Sequence, residues 1–253
     1  MGPLGVAPSE PGFAPEVTGV AVLTLHNLAV HRLLPSPADA VVNVVTAAGL
    51  TAFAQRAGCN HDDLGTRSAD AAAGLRLGLV AAGVAAGGVV LGASLPATRP
   101  FFHDRRVIDV GRREAIYHLA VRIPLATAFA EEVTFRGALL GLAQRRRSPA
   151  AAVAWTSLLF GVSHALPTLK HYDGNPASGL VADPRRGRRI AVLGTTLSTA
   201  GAGCLFAWLR LRSRSLLAPI LAHAAGNASA YLAGRWVVRH ARQDRAEKTA
   251  ECI

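Results

Sequence analysis

Apolar residues along this chain gather in long runs, several approaching the roughly 20 residues that a membrane-spanning helix requires, separated by short polar, basic or proline-marked breaks. Val17 to Leu34 is apolar but carries His26, Asn27, His31 and Arg32, which suits either a span or an interfacial helix. Pro35-Ser36-Pro37 breaks the run, and Ala38 to Ala57 is a better spanning candidate. Gly58 to Asp70, with His61-Asp62-Asp63, reads as a loop. Ala71 to Leu95 is a clear span whose glycines recur four apart (Gly74 and Gly78, Gly83 and Gly87, Gly88 and Gly92), a spacing that lets helix backbones approach closely in lipid. A mixed-charge loop from Pro96 to Glu114 precedes Ala115 to Gln144, which is long enough to span and which Pro124 is expected to kink before Glu131. Pro149 opens a short helix to about Leu166, ended by Pro167. After a polar loop from Thr168 to Gly187, Arg188 to Leu211 and Ser215 to Val238 span again.

This pattern predicts an all-α, polytopic transmembrane helix bundle of six to eight spans. It divides into a disordered N-terminal tail (1–16), N-terminal membrane helices and loops (17–114), a core (115–238) and a charged C-terminal tail (239–253). No internal repeat of the length that marks solenoids is present.

Composition agrees with a multi-pass protein of the cell membrane: 51% hydrophobic and 17% charged residues, with a mean hydropathy of +0.29. The net charge of +11 could point to nucleic acid, but the arginines form short blocks beside the apolar runs, as topology and anionic head groups select. No zinc-finger spacing, basic recognition helix or aromatic–basic RNA motif accompanies them, so a nucleic-acid partner is excluded and the lipid bilayer is the expected one. The blocks Arg145–Arg147 and Arg210–Arg214 are expected on one side, taken as cytoplasmic. Cys59, Cys204 and Cys252 are too widely spaced for a disulfide framework or a CxxC pair.

Against this background the stretch Ala130-Glu131-Glu132-Val133-Thr134-Phe135-Arg136-Gly137 is an anomaly. A charge at a bilayer centre costs roughly 2.5–3.5 kcal/mol, so three in six residues cost roughly 8–10 kcal/mol before pairing. Glu132 and Arg136 are spaced i, i+4 with the acid first, the favourable order for a helical ion pair. That pair reads as structural. Glu131 points about 100° away on the helix and is left needing another explanation. Two more polar insertions follow: Phe160-Gly161-Val162-Ser163-His164 and His223-Ala224-Ala225-Gly226-Asn227. Each alone is weak, since a lone histidine on an apolar helix is commonly a satisfied core residue. Together they bring a carboxylate and two imidazoles to the interior of three helices, and buried ionisable groups in membranes face one another or water. These are the parts for activating a water molecule.

The ordered set Glu131-Glu132-x-x-x-Arg136, Phe160-x-x-x-His164 and His223-x-x-x-Asn227 resembles the CAAX-protease and bacteriocin-processing (CPBP, or Abi) family of intramembrane proteases, over about Ala115 to Val238. The resemblance implies an endopeptidase acting on a peptide or protein substrate at the membrane, not necessarily a prenylated one. It implies Glu131 as the general base, helped by His164. His223 and Asn227 would hold the developing oxyanion, with Glu132, Arg136 and Phe160 supporting. It also implies a divalent metal, zinc, with Glu131, His164 and His223 as its ligands, the two-His, one-carboxylate set of catalytic zinc. The residues leave metal-based and glutamate-based hydrolysis both open. A non-proteolytic membrane scaffold or immunity protein of the same fold is the alternative, marked by a broken motif, and none is broken. A proton-coupled transporter is disfavoured because matching broken helices in two halves are absent.

Overall fold

The computed structural model describes residues 15–34, 38–102, 107, 110–172 and 181–251, with side chains described as far as 240. Among them all regular structure is helical. The elements are α1 (Pro15–Arg32), α2 (Ala38–Arg56), the short α3 (His61–Leu64), α4 (Ala71–Ser94), α5 (Arg112–Tyr117), α6 (Ala130–Glu132), α7 (Leu140–Gln144), α8 (Pro149–Ser163), α9 (Ala165–Lys170), α10 (Pro184–Ser213) and α11 (Leu217–Glu251). Segments α5, α6 and α7 are joined by the π-helical stretches His118–Phe129 and Val133–Leu139 into one continuous helix over residues 112–144.

Four helical stretches are long and apolar enough to cross a membrane: Ala38–Arg56, His61–Ser94, Pro149–Lys170 and Pro184–Ser213. That is fewer than the expected six to eight. The difference lies where polar residues interrupt apolar runs, with Arg122, Glu131, Glu132 and Arg136 in the 112–144 helix and His223 and Asn227 in α11.

Several boundaries differ from the sequence pattern. Residues 1–14 of the expected tail lie outside the described residues, but Pro15 and Glu16 already belong to α1, where Glu16 is buried and paired with Arg147. The expected 58–70 loop contains α3, whose Asn60 accepts from the backbone N–H groups of Asp62 and Asp63 in a capping box. Pro167 does not end a helix; it sits inside α9, and the break falls at His164. The backbone of α11 stays helical to Glu251, where a separate tail from 239 was expected. Pro35-Ser36-Pro37 and Cys252 lie outside the described residues, and Cys59 and Cys204 are free thiols.

Small residues set two close helix contacts. A Cβ on Gly74 would lie 2.4 Å from Ser215 Oγ, and one on Gly78 would lie 3.0 Å from Ala218 Cα, so α4 and α11 pack at van der Waals distance. Among the described residues Gly83, Gly87 and Gly88 meet nothing within 4 Å, while a Cβ on Gly92 would lie 3.3 Å from the Phe102 ring. A Cβ on Gly161 would fall 2.4 Å from Thr196 O, which fixes α8 against α10.

One end of the bundle is tied by arginines. Arg145 donates to Gly58 O at 3.0 Å, and Arg210 donates to Asp62 O at 2.6 Å and Asp63 O at 3.0 Å. The two basic blocks expected on one side thus meet at α3. Arg210 thereby supplies donors to carbonyls at the C-terminal end of a short helix.

Candidate active site

The site is built on the 112–144 helix. Pro124 has no N–H to donate and its ring crowds the carbonyl four residues back. The backbone takes up this fault as the π-helical stretch His118–Phe129 in place of a simple kink. Glu131 and Glu132 follow in the one α-helical turn between the two π stretches, and such widened turns recur at functional sites.

Glu132 is fully buried and accepts from Arg136 Nη1 at 3.1 Å, as the i, i+4 spacing predicts. A buried pair needs further partners to offset its desolvation. The Arg136 guanidinium lies 4.1 Å from the ring centroid of Phe160, 5.2 Å from Phe206 and 5.7 Å from Phe135, an aromatic box that supplies cation–π attraction in a dry setting. Phe160 thus meets the Arg136 guanidinium with its ring face.

The same Glu132 oxygen takes a second donor. His223 Nδ1 lies 2.8 Å from Glu132 Oε1, and since a carboxylate only accepts, Nδ1 carries the proton. Phe206 stacks on the His223 ring at 4.9 Å and 16°. With one edge and one face held, Nε2 points to Glu131, 3.9 Å from its Oε2. That Glu131 oxygen is buried and has no hydrogen-bond partner among the described residues, although the side chain as a whole is 27% exposed.

His164 sits at the turn between α8 and α9. Its Nδ1 lies 2.7 Å from Phe160 O, which can only accept, so a neutral ring keeps its lone pair on Nε2. The ring stands edge-on to Phe160 at 4.7 Å. His164 and Glu131 line one cavity of about 360 Å³, together with Arg122, Thr127 and Thr134. Asn227, one turn beyond His223, lines a neighbouring cavity of about 620 Å³ with Phe101, Phe102 and Tyr231. Arg122 and Thr127 line both cavities, so they form the wall between the two.

The structure thus joins Glu131, Glu132, Arg136, Phe160 and His223 in one contact chain, puts His164 across the Glu131 cavity, and leaves Asn227 next door. Among the described residues no three His, Cys, Asp or Glu side chains are placed to hold a metal ion. His164 commits Nδ1 to a backbone carbonyl, and His223 commits Nδ1 to Glu132. Each keeps Nε2, and an Nδ1 contact to a carbonyl or carboxylate is the kind that orients a metal-ligating imidazole, so His164, His223 and Glu131 Oε2, unpartnered among the described residues, would be the groups to hold an ion; no step below is routed through one.

Two contributors escaped the sequence pattern. Phe206 stacks on His223, but in the sequence it is one more apolar residue of α10, between Leu205 and Ala207. Helices α1 and α2 wall the cavity through His26, Asn27 and Asn43. Their only signal was polarity inside apolar runs.

Fold and site together define a helical bundle with a buried carboxylate–imidazole–carboxylate–guanidinium chain opening on a polar cavity. Residues 114–229 match the family model of the type II CAAX prenyl endopeptidase Rce1-like proteins. The match spans all seven residues of the three motifs and agrees with a CPBP family protease. No curated protein and no solved structure matches the chain.

Proposed function

We propose that this protein is an intramembrane endopeptidase that hydrolyses a peptide bond of a membrane-associated protein with water activated by Glu131. The observation that carries the reading is the Glu131 Oε2 atom, buried, unpartnered among the described residues and 3.9 Å from an imidazole whose orientation Glu132 fixes. A water about 2.8 Å from each of Glu131 Oε2 and His223 Nε2 fits that separation. The cavity admits water to a carboxylate set among apolar helices.

In the proposed reaction Glu131 takes a proton from this water as its oxygen attacks the scissile carbonyl carbon. Negative charge develops on the carbonyl oxygen, where His223 Nε2–H and the Asn227 amide donate. Because Nδ1 already donates to Glu132, an Nε2–H offered to the oxyanion belongs to the imidazolium form. As the C–N bond breaks, the proton held by Glu131 passes to the leaving amine. His164, with Nε2 free, assists transfer at the cavity wall. Arg136, held in its aromatic box, keeps Glu132 in place. The cavity beside Asn227, lined by Phe101, Phe102 and Tyr231, suits an apolar group on the substrate next to the scissile bond. In this reading the chain is a multi-pass protein of the cell membrane, and the helices with charged interiors complete the bundle around the four apolar spans.

The test is incubation of the purified full-length chain, in detergent micelles, with a farnesylated CAAX peptide and its unfarnesylated twin. Mass spectrometry of the products identifies the scissile bond. The reading expects one new carboxyl terminus, and preference between the twins reports whether the lipid is recognised. No cleavage of either peptide, nor of a membrane-protein library, contradicts it.

A further inference from the structure

The reaction proposed above asks one scissile carbonyl to be in two places. Its carbon must meet the water at Glu131, which lines the smaller cavity, and its oxygen must reach Asn227, which lines the larger one. Arg122 and Thr127 line both, so a carbonyl that bridges the two cavities lies against these two side chains.

The pair differ in what they have left to donate. The Arg122 guanidinium is engaged with Asp39 of α2, Nη1 to Oδ1 at 3.2 Å and Nη2 to Oδ2 at 2.5 Å. Thr127 is half-buried, and its hydroxyl has no hydrogen-bond partner among the described residues. A helical threonine commonly spends that hydroxyl on the carbonyl four residues back. Thr51 does so with Ala47 O at 2.8 Å, Thr156 with Ala152 O at 2.9 Å and Thr199 with Thr195 O at 2.6 Å. Thr127 lies instead in the π-helical stretch His118–Phe129, four residues before Glu131 and so on the same face of the helix.

The turn that carries Thr127 is held from outside. Asn43 of α2 donates from Nδ2 to Ala126 O at 2.9 Å, and the Arg122–Asp39 pair ties the preceding turn to the start of the same helix. A donor fixed by its scaffold before charge develops needs no reorganisation during the reaction.

We propose that Thr127 is a catalytic residue of this hydrolase: its hydroxyl donates to the oxygen of the scissile carbonyl, a third oxyanion donor beside His223 and Asn227. The inference rests on the hydrolase reading above. It also accounts for Asn227 standing in a cavity next to that of Glu131, since Thr127 marks where the carbonyl crosses between them. The proton stays on Oγ1 throughout. A hydrogen bond to a charged oxygen is stronger than one to a neutral carbonyl, so its loss falls on turnover and leaves substrate binding nearly unchanged.

The experiment measures kcat and KM on whichever of the two CAAX peptides the wild-type chain cleaves, with thermal unfolding in the same detergent. Thr127→Val keeps the shape and removes the donor, and Thr127→Ser keeps the donor. Thr127→Val is expected to lower kcat about 10²–10³-fold, with KM within about twofold and Tm little changed. Thr127→Ser is expected to recover most of the rate. Unchanged kcat in Thr127→Val overturns the proposal and leaves the hydrolase reading standing. So does a rise in KM at constant kcat, the mark of binding shared by ground state and transition state. So, too, does a loss that follows a fall in Tm and that serine does not relieve. A wild-type chain that cleaves nothing overturns both readings together.

Discussion

His223 Nδ1 and Glu132 Oε1 lie 2.8 Å apart, and the same Glu132 oxygen also accepts from Arg136 at 3.1 Å. The i, i+4 pair that the sequence presents as a brace is therefore also what aims the imidazole. One carboxylate atom links an arginine on its own helix to a histidine on α11. Removing one partner of a buried pair strands a charge, which typically costs about 3–5 kcal/mol. Glu132→Gln should lower stability by that amount and turnover with it. The double variant Glu132→Leu with Arg136→Met removes both charges at similar volume and should be near neutral in stability. It should still lack activity, because His223 has lost its acceptor. Thermal unfolding and peptide turnover, measured on both variants, separate the two roles of Glu132.

Phe206 touches the site only through ring faces. Phe206→Leu removes the stack on His223 and one side of the box around Arg136. An aromatic pair is worth about 0.5–1.5 kcal/mol beyond its area, so turnover should fall roughly 2–13-fold with KM unchanged. An unaltered kcat would mean that the Glu132 hydrogen bond alone holds the ring.

The contact of α8 with α10 positions His164, and it depends on a missing Cβ. Gly161→Ala would place that atom 2.4 Å from Thr196 O, so the helices must separate. Overpacking of this kind costs about 1–3 kcal/mol. Gly83→Ala, in open space, should change stability by less than about 0.5 kcal/mol. Comparing the two melting curves checks that α8 and α10 pack as described.

Donor geometry also bears on metal dependence. Both site histidines keep Nε2 for an ion, but the glutamate-based reaction proposed above uses none, so turnover should survive dialysis against a chelator such as 1,10-phenanthroline. Loss of activity on chelation, restored by added zinc and not by magnesium, would show that Glu131, His164 and His223 regroup around an ion.

Much of this was legible in the chain because membrane burial makes polar residues conspicuous. Glu131, Glu132 and Arg136 announce themselves by what they cost in an apolar run, and the i, i+4 rule pairs the right two of them. The rule speaks only of neighbours on one helix, so it could not show that Glu132 reaches across to His223. The aromatic box was invisible for the opposite reason: Phe206 and Phe135 are ordinary in an apolar helix, and only the tertiary arrangement sets them against a guanidinium. Pro124 and Pro167 were read as a kink and a stop. The backbone absorbed one as a π stretch and the other within α9, because both sit where packing against neighbouring helices decides the local geometry. By length and hydropathy four helices qualify as spans, and the helices of Glu131 and His223 fall outside that count because their polar residues dilute the apolar runs.

The central claim is that Glu131 is the base. Its most direct test is the single-turnover rate of peptide cleavage by the wild-type chain and by Glu131→Gln, which keeps the shape and hydrogen-bonding ends of the side chain while removing the proton acceptor. The account predicts a rate lower by about 10²–10⁴-fold, with substrate binding and Tm unchanged. A Glu131→Gln protein that cleaves at the wild-type rate would contradict the account, and the base would then have to be sought among His164 and the other groups of the cavity.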